Sequence, residues 1–303
     1  MRGPLFLKGL AQGTYKSIYT SEEKPDVTNT SILRCDLLTI DDYAIIPLQF
    51  SRGCPFQCEF YEIIVMFGLM PRTKTPQLCA ELQAVYDIGY RGFMFIVDDN
   101  FIDNKKEAKR LLLELKACNE AHSNPFMYGT EASVNLAADA ALIQQTVDGN
   151  FKWVFLATET PSMESLKETL KYQNMKRSLL DSVKVIQNAG LLVYGGFIIG
   201  FDNDTEDIFN RQIEFITQAA IPNAMVGLLV ALPGTPLYKR LQETGRLKPD
   251  AYAGTSDQCG YTNIVTILPS RKPFEGYRKV IETIYTPREY FSRSVEAFPA
   301  PPS

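Results

Sequence analysis

Cys54, Cys58 and Tyr61 share one short loop, Cys54-Pro55-Phe56-Gln57-Cys58-Glu59-Phe60-Tyr61, directly after Gly53. Thiols spaced this way can take neighbouring corners of an iron–sulfur cubane, which usually has four thiolate ligands. Gly53 lets the chain turn tightly just before them. The pattern is C-x3-C-x-aromatic, with a tyrosine where a further cysteine would extend the ligand set. A phenol is bulkier and far less acidic than a thiol, and its oxygen is a hard donor for soft iron–sulfide. The cysteine pair alone leaves a plainer reading open, two small hydrophobes in a core. Zinc is disfavoured, because the one histidine, His122, is distant and no second Cys pair follows.

The elements that must position this loop alternate strand and helix. Apolar runs read as strands over Tyr43–Phe50, Gly92–Val97, Phe126–Glu131, Trp153–Thr158, Leu192–Ile199 and Met225–Leu232. Between them lie amphipathic stretches with helix-start signals. Thr75-Pro76 is expected to put a cap before a proline at the first helical position, and Asn104 with Glu107 resembles a capping box before Ala108–Cys118. Ser178 precedes Leu179–Ala189, which ends at Gly190. Asp204 and Thr205 are expected to open the helix before Gln212–Ala219. Six βα units in a row predict a parallel sheet with right-handed crossovers. The pattern does not separate an open doubly wound sheet from a barrel. In either arrangement the loop after Phe50, the pair Asp98-Asp99, and Glu159 fall at the C-terminal ends of strands, where active sites of such folds sit.

Composition bounds the function. The chain has 303 residues, 45% hydrophobic and 22% charged, with net charge −4, which suits one large α/β domain with appendages. No basic stripe is present, so a nucleic-acid partner is not expected. Six cysteines, at 35, 54, 58, 79, 118 and 259, do not look like a disulfide framework in a chain of this size. The N-terminus lacks an apolar export signal, and the longest apolar runs are too short to span a bilayer. A cytoplasmic, non-transmembrane protein is the expectation. With one histidine, hydrolytic acid–base chemistry through a Ser–His or Cys–His arrangement is not expected; His122 reads as a helix-end surface residue.

The flanks of the cysteine loop carry a resemblance. Ile45-Ile46-Pro47-Leu48-Gln49-Phe50-Ser51-Arg52-Gly53-Cys54-Pro55-Phe56 is similar to the first strand and cluster loop of the radical S-adenosylmethionine superfamily, in its cobalamin-linked branch and hopanoid-processing-like subgroup. The similarity continues in order through Pro71-Arg72-Thr73-Lys74-Thr75-Pro76, Phe95-Ile96-Val97-Asp98-Asp99-Asn100-Phe101 and Gly129-Thr130-Glu131-Ala132-Ser133. It extends over Gly195-Gly196-Phe197-Ile198-Ile199-Gly200-Phe201 and ends with Ala231-Leu232-Pro233-Gly234-Thr235-Pro236-Leu237-Tyr238.

The resemblance implies a partial (β/α)6 barrel over residues 43–245, a linker-like segment over 1–42 and an incomplete C-terminal helical region over 246–303. It implies Cys54 and Cys58 as ligands of a [4Fe–4S] cluster, with Tyr61 at the third ligand position. The superfamily supplies three thiolates and leaves the fourth iron to the amino and carboxylate groups of S-adenosylmethionine. Reduction of the cluster then splits that cofactor into methionine and a 5′-deoxyadenosyl radical. Phe60 is expected beside the adenine, and Asp98 and Asp99 near the cationic amine. Glu131, Ser133 and Glu159 are expected toward the cofactor or substrate, and Gly196 and Gly200 along the adenine side. Plainer readings stand beside these: a solvated strand-end turn for the acidic pair, a hydrogen-bonded polar pair for Glu131 and Ser133, and packing glycines in a strand. Ala157-Thr158 departs from the family pattern, as do Leu69-Met70 and Asp103. Cys79 and Cys118 lie in predicted helices away from the loop and are not expected as replacement ligands. Expected partners are a small-molecule or lipid-like substrate and an electron donor such as flavodoxin or ferredoxin. Tight cobalamin binding is not expected of this chain alone. Tyr61 leaves a second reading open, a non-catalytic barrel that has lost its chemistry.

Overall fold

The computed structural model describes residues 2–19, 26–68, 72–73, 75–248, 261–269 and 271–297. Leu69-Met70, Lys74 and Cys259, all weighed in the sequence, lie outside the described residues. Six parallel strands form one sheet in sequence order: β1 Ile45–Leu48, β2 Phe93–Ile96, β3 Met127–Ala132, β4 Phe151–Glu159, β5 Leu192–Ile199 and β6 Ala224–Leu228. Each strand pairs only with its sequence neighbours, and β1 does not close onto β6, so the sheet is a partial barrel with one open side.

Alternation along the strands separates two faces. Met94, Ile96, Val154, Leu156, Val193 and Ile199 are fully buried under the outer helices. At about 1.5–3 kcal/mol per large apolar side chain removed from water, this face carries much of the fold's stability. The intervening residues Phe93, Phe95, Trp153, Phe155, Tyr194 and Ile198 point to the inner face and are half-buried.

The helices obey their caps in most places. Asn104 accepts from Glu107 N and opens Lys105–Ala121; Ser178 accepts from Asp181 N and opens Leu179–Asn188. Thr235 caps Pro236–Glu243 through Tyr238 N. The expectation for Asp204 and Thr205 is corrected. Helix Ile208–Gln218 starts at Asp207 without a side-chain cap. Asp204 instead turns back to the end of β5, accepting from Gly200 N at 2.8 Å and Phe201 N at 3.1 Å. A buried acid beside two free strand-end donors finds more there than at an exposed helix start.

Beyond the barrel, helices Lys272–Ile284 and Pro287–Ala297 seal the β6 edge. Tyr285 Oη accepts from Ala224 N and donates to Ala224 O. Buried Arg293 donates to Ile221 O and Ile284 O, satisfying carbonyls that would otherwise be stranded. The described residues before β1 are more structured than their sparse periodicity suggests, with a helix over Arg2–Ala11 and three short 3₁₀ turns. Among the described residues no helix is long and apolar enough to cross a membrane.

Candidate active site

The cysteine loop leaves β1 through Gly53, whose φ of +104° needs a residue without Cβ. It is fastened at several points. Glu59 N donates to Thr169 O, and Leu237 N donates to Glu59 O. The Glu59 carboxylate takes both arms of Arg240, at 2.6 and 3.0 Å. Arg240 also reaches Asp202, which Arg246 holds from its other side. Bidentate guanidinium–carboxylate pairs fix geometry as well as add energy. Cys54, Cys58 and Tyr61 are therefore held together at the C-terminal end of the sheet, as the sequence predicts.

Asp98 is placed differently from the cofactor-facing role expected of it. It is buried, and its two oxygens accept from Phe50 N at 2.8 Å, Ser51 N at 2.7 Å and Ser51 Oγ at 2.6 Å. Burial pushes its carboxyl up to about 7 against the pull of those donors. Asp98 ties the end of β1 to the end of β2 and sets where the cysteine loop begins. Ser133 is likewise committed to structure: its N and Oγ donate to Asn100 Oδ1, and its Oγ reaches Asn135 Oδ1. Asn100 in turn donates to Asp103, beside which the Cys54 thiol lies at 3.8 Å.

The remaining predicted residues converge. A cavity of about 280 Å³ is lined by Phe60, Tyr61, Asp99, Ala157, Glu159 and Gly196, with Phe155, Met225 and Leu229 among its apolar walls. Gly196 is required there, because a Cβ would lie 2.8 Å from the Phe155 ring. Gly200, at φ +110°, ends β5 beside the Leu229 backbone. Glu131 faces the same acidic group: burial first, then the Asp99 and Glu159 carboxylates, push it up to about 7. Burial, and then Glu62, push Asp99 up as well. Neither carboxylate has a side-chain partner among the described residues, so both are available to a ligand.

One residue that the sequence reading missed completes the group. Lys171 is buried, and its Nζ meets Glu159 Oε1 at 2.5 Å. The ammonium also stands 5.8 Å from the Phe60 ring centroid and 5.6 Å from that of Tyr61, within cation–π range. Burial alone would lower its pKa, but the Glu159 carboxylate and the neighbouring thiols raise it, so it stays charged. Glu159 takes the left-handed region at φ +65° to end β4, a conformation a non-glycine residue adopts only when its surroundings hold it. The only local signal was Glu159 itself, since a lysine twelve residues on in a polar stretch reads as solvated.

The donor set can be judged against an iron–sulfur cluster. Two thiols at one loop suit it. Tyr61 does not: its phenol is a bulky, hard donor beside soft iron–sulfide, and burial, with Glu131, Glu159 and Asp99 nearby, holds it well above its ordinary pKa. The Cys54 thiol is pushed up to about 12 by burial and Asp103. Cys79 and Cys118 do not approach the loop; Cys79 lies against Glu114 between two outer helices. His122 caps Lys105–Ala121 and its ring lies tilted against Tyr86, centroids 4.1 Å apart, on the outer layer.

Comparison with known proteins agrees with this fold. The chain is 45% identical over 296 residues to an uncharacterized methyltransferase, sll1242, of Synechocystis, covering 97% of this chain and 55% of that protein. It is 33% identical over 277 residues to the hopanoid C-2 methylase of Rhodopseudomonas palustris, covering 91% of this chain and 51% of that one. The chain thus spans about half the length of the curated relatives it matches. A family described as a domain of unknown function, DUF4070, matches residues 235–300. In fold, the chain matches the radical S-adenosylmethionine methyltransferase TsrM of Kitasatospora setae with a TM-score of 0.65 at 13% identity, over 81% of this chain and 53% of that one. It matches the cobalamin-dependent S-adenosylmethionine radical enzyme OxsB with a TM-score of 0.60 at 13% identity, over 82% and 44%. By sequence the chain is thus similar to curated methyltransferases over about half their length, and in fold it is similar to S-adenosylmethionine radical enzymes.

Proposed function

We propose that this chain is the barrel of a radical S-adenosylmethionine methyltransferase-type protein that binds S-adenosylmethionine in the cavity at the strand ends but does not by itself hold a complete [4Fe–4S] cluster. The observation that carries this reading is the convergence of Phe60, Asp99, Glu159 and Gly196, from four separate segments, on one cavity. Its chemistry suits a cationic adenosyl ligand. Asp99 offers unpaired negative charge to an amine or sulfonium, and the apolar wall with Gly196 accepts a flat base.

S-adenosylmethionine supplies, when cleaved beside a reduced cluster, a carbon radical that abstracts hydrogen from unreactive positions. This chain's residues bind, orient and shield. With two thiols and a hard phenol in place of a third at the cluster position, the donor set supports ligand binding and does not support full reductive cleavage. TsrM and OxsB have been solved with cobalamin. For this chain alone we propose no tight corrin binding, because its one histidine is spent on the outer layer. A small or lipid-like substrate and a flavodoxin- or ferredoxin-type donor belong to the same proposal.

Calorimetric titration of the metal-free chain with S-adenosylmethionine tests the reading. Micromolar binding that is weakened at least about tenfold in Asp99→Asn, a loss of about 1.4 kcal/mol, is expected. Absence of binding to both iron-loaded and metal-free chain would overturn it.

A further inference from the structure

Cys79 and Cys118 take no part in the site at the strand ends, yet the fold brings them together on the outer layer. Cys79 stands in helix Thr75–Asp87, which follows the cysteine loop, and Cys118 in helix Lys105–Ala121, which follows Asp98-Asp99. The two helices pack side by side, and the Tyr86 and His122 rings meet across them. The Cys79 thiol donates to Glu114 Oε2 at 3.5 Å. Cys118 is one turn beyond Glu114 on the same helix face, within hydrogen-bond reach of the Cys79 thiol. Both thiols are free and half-buried. Beneath them, on β3, the Tyr128 side chain is fully buried, and its hydroxyl has no hydrogen-bond partner among the described residues. Burial first, then Cys118 and Cys79, hold its phenol above its ordinary pKa, which places both thiols beside it. A buried hydroxyl without a partner is rare, and this one faces a thiol pair.

We propose that Cys79 and Cys118 form an oxidisable dithiol site that reduces a hydroperoxide and closes into a disulfide between the two helices. Cys118 takes the first step. Its sulfur attacks the peroxide, the O–O bond breaks, and the sulfur keeps one oxygen as a sulfenic acid. The other oxygen leaves with the Cys118 proton, as an alcohol or water. The Cys79 sulfur then attacks the Cys118 sulfur; the S–S bond forms and the S–O bond breaks. Glu114 takes the Cys79 proton and returns it to the departing hydroxide, which leaves as water. Two thiols lose two electrons in all, and the peroxide gains them. Three observations assign these roles. Burial, then Cys118 and Glu114, push the Cys79 thiol up to about 12, so it stays protonated and is the second thiol to react. Glu114 already accepts from that thiol and is the base at hand. The Tyr128 hydroxyl is a free donor for the oxygen carried on Cys118. The bond would staple the helix after the cysteine loop to the helix after Asp98-Asp99. The inference does not depend on what the cavity binds.

The full metal-free chain, folded and reduced, is treated with hydrogen peroxide, alkylated and digested without reductant. Mass spectrometry is expected to find a peptide joining Cys79 to Cys118 that dithiothreitol removes, and mapping separates it from any link between Cys54 and Cys58. In Cys79→Ser, dimedone is expected to label Cys118; in Cys118→Ser, Cys79 is expected to stay unlabelled. Glu114→Gln is expected to slow closure at least about tenfold while Cys118 is labelled at the same rate. If Glu114→Gln does not fold, the two serine variants decide. Oxidised Cys118 that never joins Cys79, a joined peptide that forms only in the denatured chain, or dimedone on Cys79 in Cys118→Ser overturns the proposal. Closure at the full rate in folded Glu114→Gln overturns the role given to Glu114.

Discussion

Lys171→Ala should damage this protein more than any surface lysine change. Lys171 and Glu159 side chains are each 6% exposed and meet at 2.5 Å. Removing one partner of a buried pair leaves the other charge desolvated and unpaired, which costs about 3–5 kcal/mol. The lost approach of the ammonium to the Phe60 and Tyr61 rings adds about 0.5–1 kcal/mol. In a chain of this size about 2 °C of melting temperature follows each kcal/mol, so a fall of roughly 6–12 °C is expected. The assay is urea and thermal unfolding of Lys171→Ala, Glu159→Gln and the pair Lys171→Met with Glu159→Gln. Replacing both charges by groups of similar volume should recover most of the loss, giving a coupling energy of at least about 2 kcal/mol. The sign of the pH dependence also follows. Lys171 is held above its usual value, so the pair's contribution is complete below the unfolded lysine pKa of about 10.4 and is lost only as pH rises through the higher folded value. The gap between wild type and Lys171→Ala should therefore be flat from about pH 6 to 9. A loss below about 1 kcal/mol, the value of an exposed pair, would refute the reasoning.

Further expectations follow from the same site. Glu131 is pushed up to about 7 by burial and its acidic neighbours, so its contribution is full below the unfolded value of about 4.3 and lost as pH rises through 7. Glu131→Gln should stabilise the chain at pH 8 by up to about 3 kcal/mol and leave it unchanged at pH 4, as denaturant midpoints at both pH values would show. Asp98→Ala strands two buried backbone donors and the Ser51 hydroxyl and should cost about 2–4 kcal/mol in urea unfolding. Gly196→Val brings side-chain atoms into the Phe155 ring and should abolish calorimetric binding of S-adenosylmethionine while the chain stays folded by circular dichroism.

The barrel was legible in the sequence because each βα unit carries its own local signals. The strand runs at Phe93–Ile96 and Leu192–Ile199, and the caps at Asn104 and Ser178, depend on neighbours a few residues away. Cys54 and Cys58 were legible as motif residues, as were Phe60, Tyr61, Asp99, Glu159 and Gly196, and the fold brings the latter five onto one cavity. What was not legible depends on long-range partners. Asp98 looks like its neighbour Asp99 in the chain, yet alternation turns one toward the β1 end and leaves the other at the cavity. Asp204 looks like a cap, yet the strand-end amides of Gly200 and Phe201 lie within its reach. Lys171 had no periodic signal, since a buried lysine is defined by its counter-ion. The Trp153 ring over Gly129 was invisible for the same reason, because the two meet only across neighbouring strands.

Iron and acid-labile sulfide content after anaerobic purification and reconstitution, measured for the wild-type chain beside Tyr61→Cys, tests the central claim most directly. The account predicts a substoichiometric, labile cluster in the wild type, with at most about two irons per chain, and four irons with a [4Fe–4S] spectrum in Tyr61→Cys. A wild-type chain that holds four irons as firmly as the variant, and cleaves S-adenosylmethionine at the same rate, would contradict it.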